Sequence, residues 1–183
     1  MREIKQIRLS GFGGQGVVLA GILLGEAGVM DGKVVAGSNS YGAQARGSGC
    51  QSEIVLSEGP IDFPHLTTAD ILIAMSQGAY HLYYQDVREL CGLILYDQGQ
   101  VIPKEGLNVR QIGIPASQSV LRKLKNKQVA NIVFLGALIE ITKIVSVRAM
   151  RKAIRTHVGE RFKDLNLKSL QLGLNLGRQI NGG

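Results

Sequence analysis

At 183 residues, 45% of them hydrophobic and 19% charged, the chain has the composition of one globular unit that hides roughly 70% of its unfolded surface on folding. Its two cysteines, Cys50 and Cys91, exclude a cysteine-ligated iron–sulfur cluster, a four-thiolate zinc site and a disulfide framework within this chain. The net charge of +7 is unevenly placed, −3 over residues 1–121 and +9 over residues 122–168, so the basic character is a patch suited to an acidic surface or an anionic ligand.

Residues 4–10, IKQIRLS, alternate apolar and polar positions and read as a strand. GFGGQG follows, and residues 17–30 have helical apolar content that ends at Asp31-Gly32. Residues 33–38 read as a second strand and residues 50–57 as a third, closed by Glu58-Gly59-Pro60. The link between them is about ten residues without a helical pattern, too short for a parallel crossover, so these strands are expected to pair antiparallel in a mixed sheet. Residues 70–75 and 93–97 are short apolar runs suited to burial on both faces, and they flank a helix over 77–90 to make a βαβ unit. Residues 107–114 form a further strand, turned out by Pro115. The remainder reads helical: a short basic piece near Leu121, an apolar helix over 128–145, a helix over 147–158 and a leucine-rich closing helix over 165–180. In the helix over 147–158, Arg148, Arg151, Lys152 and Arg155 fall at i, i+3, i+4 and i+7 beside Val147, Met150, Ile154 and Val158. One side is therefore core and the other a cationic stripe.

No apolar segment follows the basic residues at the start, as a secretory leader requires, and no apolar stretch reaches the roughly 18–20 residues of a membrane span. A cytoplasmic chain with reduced thiols and no membrane contact is expected. Nucleic acid is not an expected partner, because the basic segment lacks interleaved aromatics and carries no zinc-finger or RRM signature.

Gly11-Phe12-Gly13-Gly14-Gln15-Gly16 matches GxGxxG between a strand and a helix, where the pattern has physical meaning. Glycines permit a tight turn and close backbone approach, and the free amides of a helix N-terminus attract an anion. Phosphate binding and a purely structural strand-to-helix turn fit this motif equally well. Gly13→Val is expected to damage the loop, through the positive φ such turns often require. A dinucleotide dehydrogenase would also place an acid at the end of the second strand, where Ala36-Gly37-Ser38-Asn39 has none, and no Gly-Lys-Ser/Thr follows as in a P-loop. The segment Ser40-Tyr41-Gly42-Ala43-Gln44-Ala45-Arg46-Gly47-Ser48-Gly49 offers one cation to clamp a phosphate or carboxylate, or to pair with a surface acid. Its Gly47-Ser48-Gly49 is not a nucleophile elbow. Asp97, at a strand end, either faces a ligand crevice or caps a helix. His65, His81 and His157 lack metal-ligand spacing, and Cys50 and Cys91 read as small buried residues. No catalytic set and no metal site can be assembled. The residues read as a binding scaffold without its own catalyst, and leave open a stand-alone nucleotide-binding or regulatory module and a basic interaction protein.

GFGGQGVVLAG, NSYGAQARGSGCQSEIVLS, DILIAMSQGAY and QVANIVFLGALIE, in that order, resemble the gamma subunit of 2-oxoacid:ferredoxin oxidoreductases, over about residues 8–136 and more weakly in the helical tail. The resemblance implies one Rossmann-like domain over 1–183: a three-layer α/β/α unit with a mostly parallel, mixed sheet and a helical C-terminal part. It implies a non-catalytic subunit of a complex that cleaves a 2-oxoacid oxidatively to acyl-CoA, CO2 and reduced ferredoxin, with 2-oxoglutarate the preferred substrate over pyruvate and branched-chain oxoacids. To the readings left open it adds an enzyme subunit inactive alone, and CoA as a ligand of the stand-alone module. The partners it implies are thiamine diphosphate-binding alpha and beta subunits and a ferredoxin-like delta subunit or ferredoxin, which hold the thiamine diphosphate and the iron–sulfur clusters. For this chain it implies a share in holding coenzyme A, carried over to Gly11, Gly13, Gly14, Gln15 and Gly16 and to Ser40, Tyr41, Gly42, Arg46 and Gly47. Arg46→Ala is then expected to spare the fold and impair only CoA-dependent steps. A homodimer can stand in for the native contacts when the chain is isolated.

Overall fold

The computed structural model describes residues 4–41 and 49–182. In chain order its elements are β1 (Ile4–Phe12), α1 (Val17–Met30), β2 (Val34–Tyr41), β3 (Gly49–Ser57), β4 (Ile71–Ala74), α2 (Gln77–Tyr83), β5 (Leu93–Asp97), β6 (Arg110–Ile114), α3 (Ala116–Leu124), α4 (Ala130–Thr142), α5 (Val147–His157) and α6 (Glu160–Asn181). The strands form one sheet in the order β2-β3-β1-β4-β5-β6. β1, β4, β5 and β6 are parallel to one another, whereas β3 runs antiparallel to both β1 and β2. The expected mixed sheet is present for the expected reason: the link from β2 to β3 is too short to cross over, whereas α2 lies between β4 and β5.

Side-chain alternation sorts the strands onto two faces. Ile7, Leu9, Ile54, Leu56, Ile71, Ile73, Leu93, Leu95, Ile112 and Ile114 join the main core with residues of α1, α3, α4, α5 and α6. Leu72, Ala74 and Ile94 point the other way, into a smaller cluster with Tyr80 and Val87 under α2. All four residues of β4 are buried, as a central parallel strand covered on both faces requires. In α4 every residue from Asn131 to Ile139 is buried, because α6 packs across it at backbone contact. A Cβ on Gly173 would lie 2.1 Å from the Val133 carbonyl oxygen, and one on Gly136 would lie 2.4 Å from that of Leu170.

Element ends differ from the sequence reading where tertiary partners decide them. The helix expected over 77–90 stops at Tyr83 and gives way to a 3-10 turn, Tyr84–Asp86. The chain then leaves to bridge Val87 to Ala69, with Ala69 N–H donating to Asp86 and Arg88 N–H to Ala69. β6 begins at Arg110 rather than at residue 107, because β5, its only partner among the described residues, starts opposite it at Leu93. The apolar helix is α4 preceded by a 3-10 turn, Lys127–Val129, and it ends where Lys143 turns left-handed at φ 55°. Cys50 is buried as expected, but Cys91 is exposed, since it sits in the turn before β5 rather than in the strand.

One buried charge sits on the thin side of the sheet. Arg8, its side chain only 9% exposed, donates from Nε and Nη2 to Glu53 at 3.0 and 2.8 Å and from Nη1 to Asp86 at 2.7 Å. Its guanidinium lies 4.4 Å from the Tyr83 ring centre. Burial pushes the Tyr83 phenol above its ordinary range, against the opposing pull of Arg8. This network ties the α2 region to β1 and β3, and it explains how a charged residue in the middle of a central strand is tolerated.

Candidate functional site

The chain leaves β1 through α1 toward β2 and β3 on one side, and leaves β4 through α2 toward β5 on the other. The strand order thus reverses between β1 and β4, and in open α/β sheets ligands bind beyond the C-terminal strand ends at such a point. A crevice of about 310 Å³ lies there, lined by Gly14, Gln15, Met75, Asp97, Lys127 and Phe134 among others. A larger cavity of about 580 Å³ opens at the opposite pole, among Lys33, Asp70, Cys91, Arg110 and Lys143. It lies at the N-terminal strand ends and touches none of the sequence-derived site residues.

The glycine loop opens α1, and each member has a distinct part. Gln15 braces the loop: its Oε1 accepts from the Phe12 N–H at 2.7 Å, and its Nε2 donates to the Met75 carbonyl at 3.1 Å. Gly11 leaves room for that brace, since a Cβ there would lie 2.4 Å from Gln15 Oε1. Gly16, the N-cap, has φ 71°. A Cβ on it would lie 2.5 Å from Nδ2 of Asn131, which donates to the Gly16 carbonyl at 2.9 Å. Gly14 has φ 96° and open space where a Cβ would stand. The left-handed positions are therefore Gly14 and Gly16, and the φ argument attached to Gly13 in the sequence belongs to them. Among the described residues no side chain caps α1, so there its first-turn amides remain available to an anion at the crevice.

The second sequence motif reaches the same pole. Tyr41 pairs with Cys50, which pairs on its other side with Gly11, while Gly49 pairs with Phe12. Two strand spacings, about 10 Å, therefore separate the end of β2 from the glycine loop. Ser40 is exposed at that end. Gly42, Arg46 and Gly47 lie outside the described residues. Because β3 intervenes between β1 and β2, the second strand does not flank the glycine loop as it does in a dinucleotide site. Glu53, across from Ser38 of β2, accepts from Ser38 Oγ at 3.4 Å and is engaged by Arg8.

Asp97 resolves in favour of capping while also lining the crevice. Its Oδ2 accepts from the Ser117 N–H and Oγ at 3.0 and 2.6 Å, closing the N-terminus of α3, and its Oδ1 accepts from the Gly99 N–H at 3.0 Å. Asn131, Lys127 and Ser117 were not legible as site residues, since 115 positions separate Asn131 from Gly16 and no local pattern joins them. Asn131 is 1% exposed, and its Oδ1 has no partner among the described residues. No group of three or more His, Cys, Asp or Glu side chains converges among the described residues. Nor is any described helix long and apolar enough to cross a membrane.

The chain is 41% identical over 179 residues to the 2-oxoglutarate synthase subunit KorC of Methanocaldococcus jannaschii, covering 96% of this chain and 95% of the relative. The crystal structure of a keto/oxoacid ferredoxin oxidoreductase gamma subunit from Geobacter sulfurreducens superposes with a TM-score of 0.83 at 36% identity, over 94% of this chain and 98% of that one. The 2-oxoglutarate:ferredoxin oxidoreductase of Magnetococcus marinus, with 2-oxoglutarate, coenzyme A and succinyl-CoA bound, shares the fold. Its TM-score is 0.88 at 22% identity, over 98% of this chain and 32% of that one. Residues 6–176 match the pyruvate ferredoxin/flavodoxin oxidoreductase family profile. A match over nearly the whole length, on a sheet whose switch point carries the glycine loop, means that the chain belongs to the pyruvate ferredoxin/flavodoxin oxidoreductase family.

Proposed function

We propose that this chain, one domain over residues 1–183, is the gamma subunit of a 2-oxoglutarate:ferredoxin oxidoreductase. The observation that carries this reading is the match, at 41% identity over nearly the whole of both chains, to a 2-oxoglutarate synthase subunit. The complex converts the oxoacid and CoA to acyl-CoA and CO2 and passes two electrons to ferredoxin. Thiamine diphosphate and the iron–sulfur clusters reside in alpha, beta and ferredoxin-like delta subunits. That division fits a chain with one buried and one exposed cysteine and, among its described residues, no convergent ligand set. The site of action is intracellular.

Coenzyme A supplies the thiol that takes the acyl group, and this chain's share is to hold its phosphates. The uncapped first turn of α1 offers amides, Gly14 lets an anion approach the backbone, and Lys127 places a cation at the rim. An anion at such a terminus gains about 0.3–1 kcal/mol per charge when exposed. Gly11, Gly13, Gln15 and Gly16 shape the loop, and Ser40, Tyr41, Gly42, Arg46 and Gly47 contribute from the β2 end. The crevice is at the small end of ligand pockets and suits a pyrophosphate with its flanking atoms, the rest of the ligand resting on partner chains.

Anaerobic tagged purification from the source cells tests this. The expected result is co-purification at near-equal stoichiometry with thiamine diphosphate and cluster-bearing chains, and CoA-dependent 2-oxoglutarate oxidation by that complex. Turnover by the single chain, or its recovery alone under gentle conditions, would overturn the subunit reading in favour of a stand-alone module.

A further inference from the structure

The cationic stripe expected from sequence is realised on α5, and its one tertiary hydrogen bond among the described residues runs from Arg151 to Gln171 of α6. Arg148, Arg151, Lys152 and Arg155 are all exposed, while Ala149, Met150, Ala153 and Ile154 on the opposite side are buried. The pairs 148–151, 148–152, 151–155 and 152–155 set like charges three or four residues apart, an arrangement that weakens a helix. No ion pair among the described residues relieves them: Glu140 pairs with Lys143 and Arg178, Glu160 pairs with Lys163, and the exposed Asp164 forms no ion pair with any of the four. Glu26 faces His157 at the far end of α5, and Asp31 is used in accepting from Ser146 at its start. Arg151 donates to the neutral Gln171 at 2.8 Å. The stripe thus costs stability in the isolated chain and is held rigid by a buried underside.

The face itself carries no apolar anchor, and the exposed Ile22 and Val29 belong to the neighbouring α1. No large hydrophobic side chain of α5 is exposed, and on α6 the one such residue among those described is Phe162, under the Arg161 guanidinium at 5.5 Å. Permanent subunit interfaces have an apolar core, whereas a surface of fixed cations without one suits a fast, salt-sensitive encounter. We propose that the outward face of α5 docks an acidic protein reversibly, and that this protein is the electron acceptor of the complex. The proposal rests on the subunit reading above.

The test uses the assembled complex, wild type and R148Q/R151Q/K152Q/R155Q, with two acceptors: an acidic ferredoxin and methyl viologen, a small molecule that needs no docking face. In the variant the KM for ferredoxin should rise about ten- to a hundredfold at low ionic strength and lose most of its salt dependence. Viologen reduction should stay unchanged, and replacing Arg148, Arg151 and Arg155 by lysine should restore wild-type behaviour. An unchanged ferredoxin KM and salt slope would overturn the proposal. So would dissociation of the variant complex with loss of viologen reduction, which would place the stripe in a permanent interface. A wild-type complex that oxidises no 2-oxoacid with either acceptor would overturn the subunit reading itself.

Discussion

The two left-handed glycines of the loop separate the structural part of the motif from the part proposed to meet the CoA phosphates. At Gly14, φ is 96° and a Cβ would meet nothing within 4 Å. Gly14→Ala therefore costs only the left-handed penalty of about 1–2 kcal/mol, offset by about 0.4–1 kcal/mol from a stiffer unfolded chain. A net loss of about 1 kcal/mol is expected. At Gly16, φ is 71° and a Cβ would lie 2.5 Å from Asn131 Nδ2 and 3.0 Å from its Cγ. Asn131 is 1% exposed and has little room to withdraw, and moving it breaks its 2.9 Å hydrogen bond to the Gly16 carbonyl. Stranding a buried amide adds about 1–3 kcal/mol, so Gly16→Ala should lose about 2–4 kcal/mol in total. Urea melts of both variants give the two losses, and calorimetric titration of the assembled complex gives CoA affinity. Gly14→Ala should fold well and, if the proposed site holds, bind CoA several-fold more weakly, because its methyl group would stand in the open space assigned to the ligand. Equal stability losses at the two sites would refute the packing argument. Unchanged CoA binding by a well-folded Gly14→Ala would remove that backbone from the ligand site.

At the α4–α6 contact, Gly173→Ala places a Cβ 2.1 Å from a backbone oxygen. A stability loss of about 1–3 kcal/mol or more is expected in thermal melts. Arg8→Leu strands the Glu53 carboxylate, 13% exposed, and should cost about 3–5 kcal/mol, whereas Arg8→Leu with Glu53→Leu should recover most of it. Double-mutant melts decide between them. Thiol labelling at neutral pH should modify Cys91 fast and Cys50 slowly, since burial pushes the Cys50 thiol above its ordinary 9.0. The stability linked to the neutral Cys50 thiol is present below that ordinary value and is lost as pH rises through the raised one, so Cys50→Ala should flatten the alkaline decline in melting temperature.

Local pattern was enough for most of the elements. The alternation of IKQIRLS, the glycine punctuation before Val17 and the LILYD run placed β1, α1 and β5 because the burial that shapes them repeats along the chain. The short link after β2 fixed the antiparallel pair, and the spacing of Arg148, Arg151, Lys152 and Arg155 fixed the face of α5. Those properties depend on neighbours within a few residues.

The site depends on neighbours that are not. The glycine loop is held by Asn131, 115 positions from the Gly16 carbonyl that it bonds, and by the carbonyl of Met75 that receives Gln15. Asp97 became a cap only because β5 and β6 deliver it to the start of α3. α2 was cut short by Arg8 drawing in Asp86 across 78 positions, and Cys91 was left outside because the turn, not the strand, holds it. The sequence by itself determined the order of strands and helices, the location of charge and the presence of a glycine turn at a helix N-terminus, since each is written in spacing along the chain. Only the tertiary structure decided which side chains meet at the crevice, because that is set by distances between segments that no local period encodes.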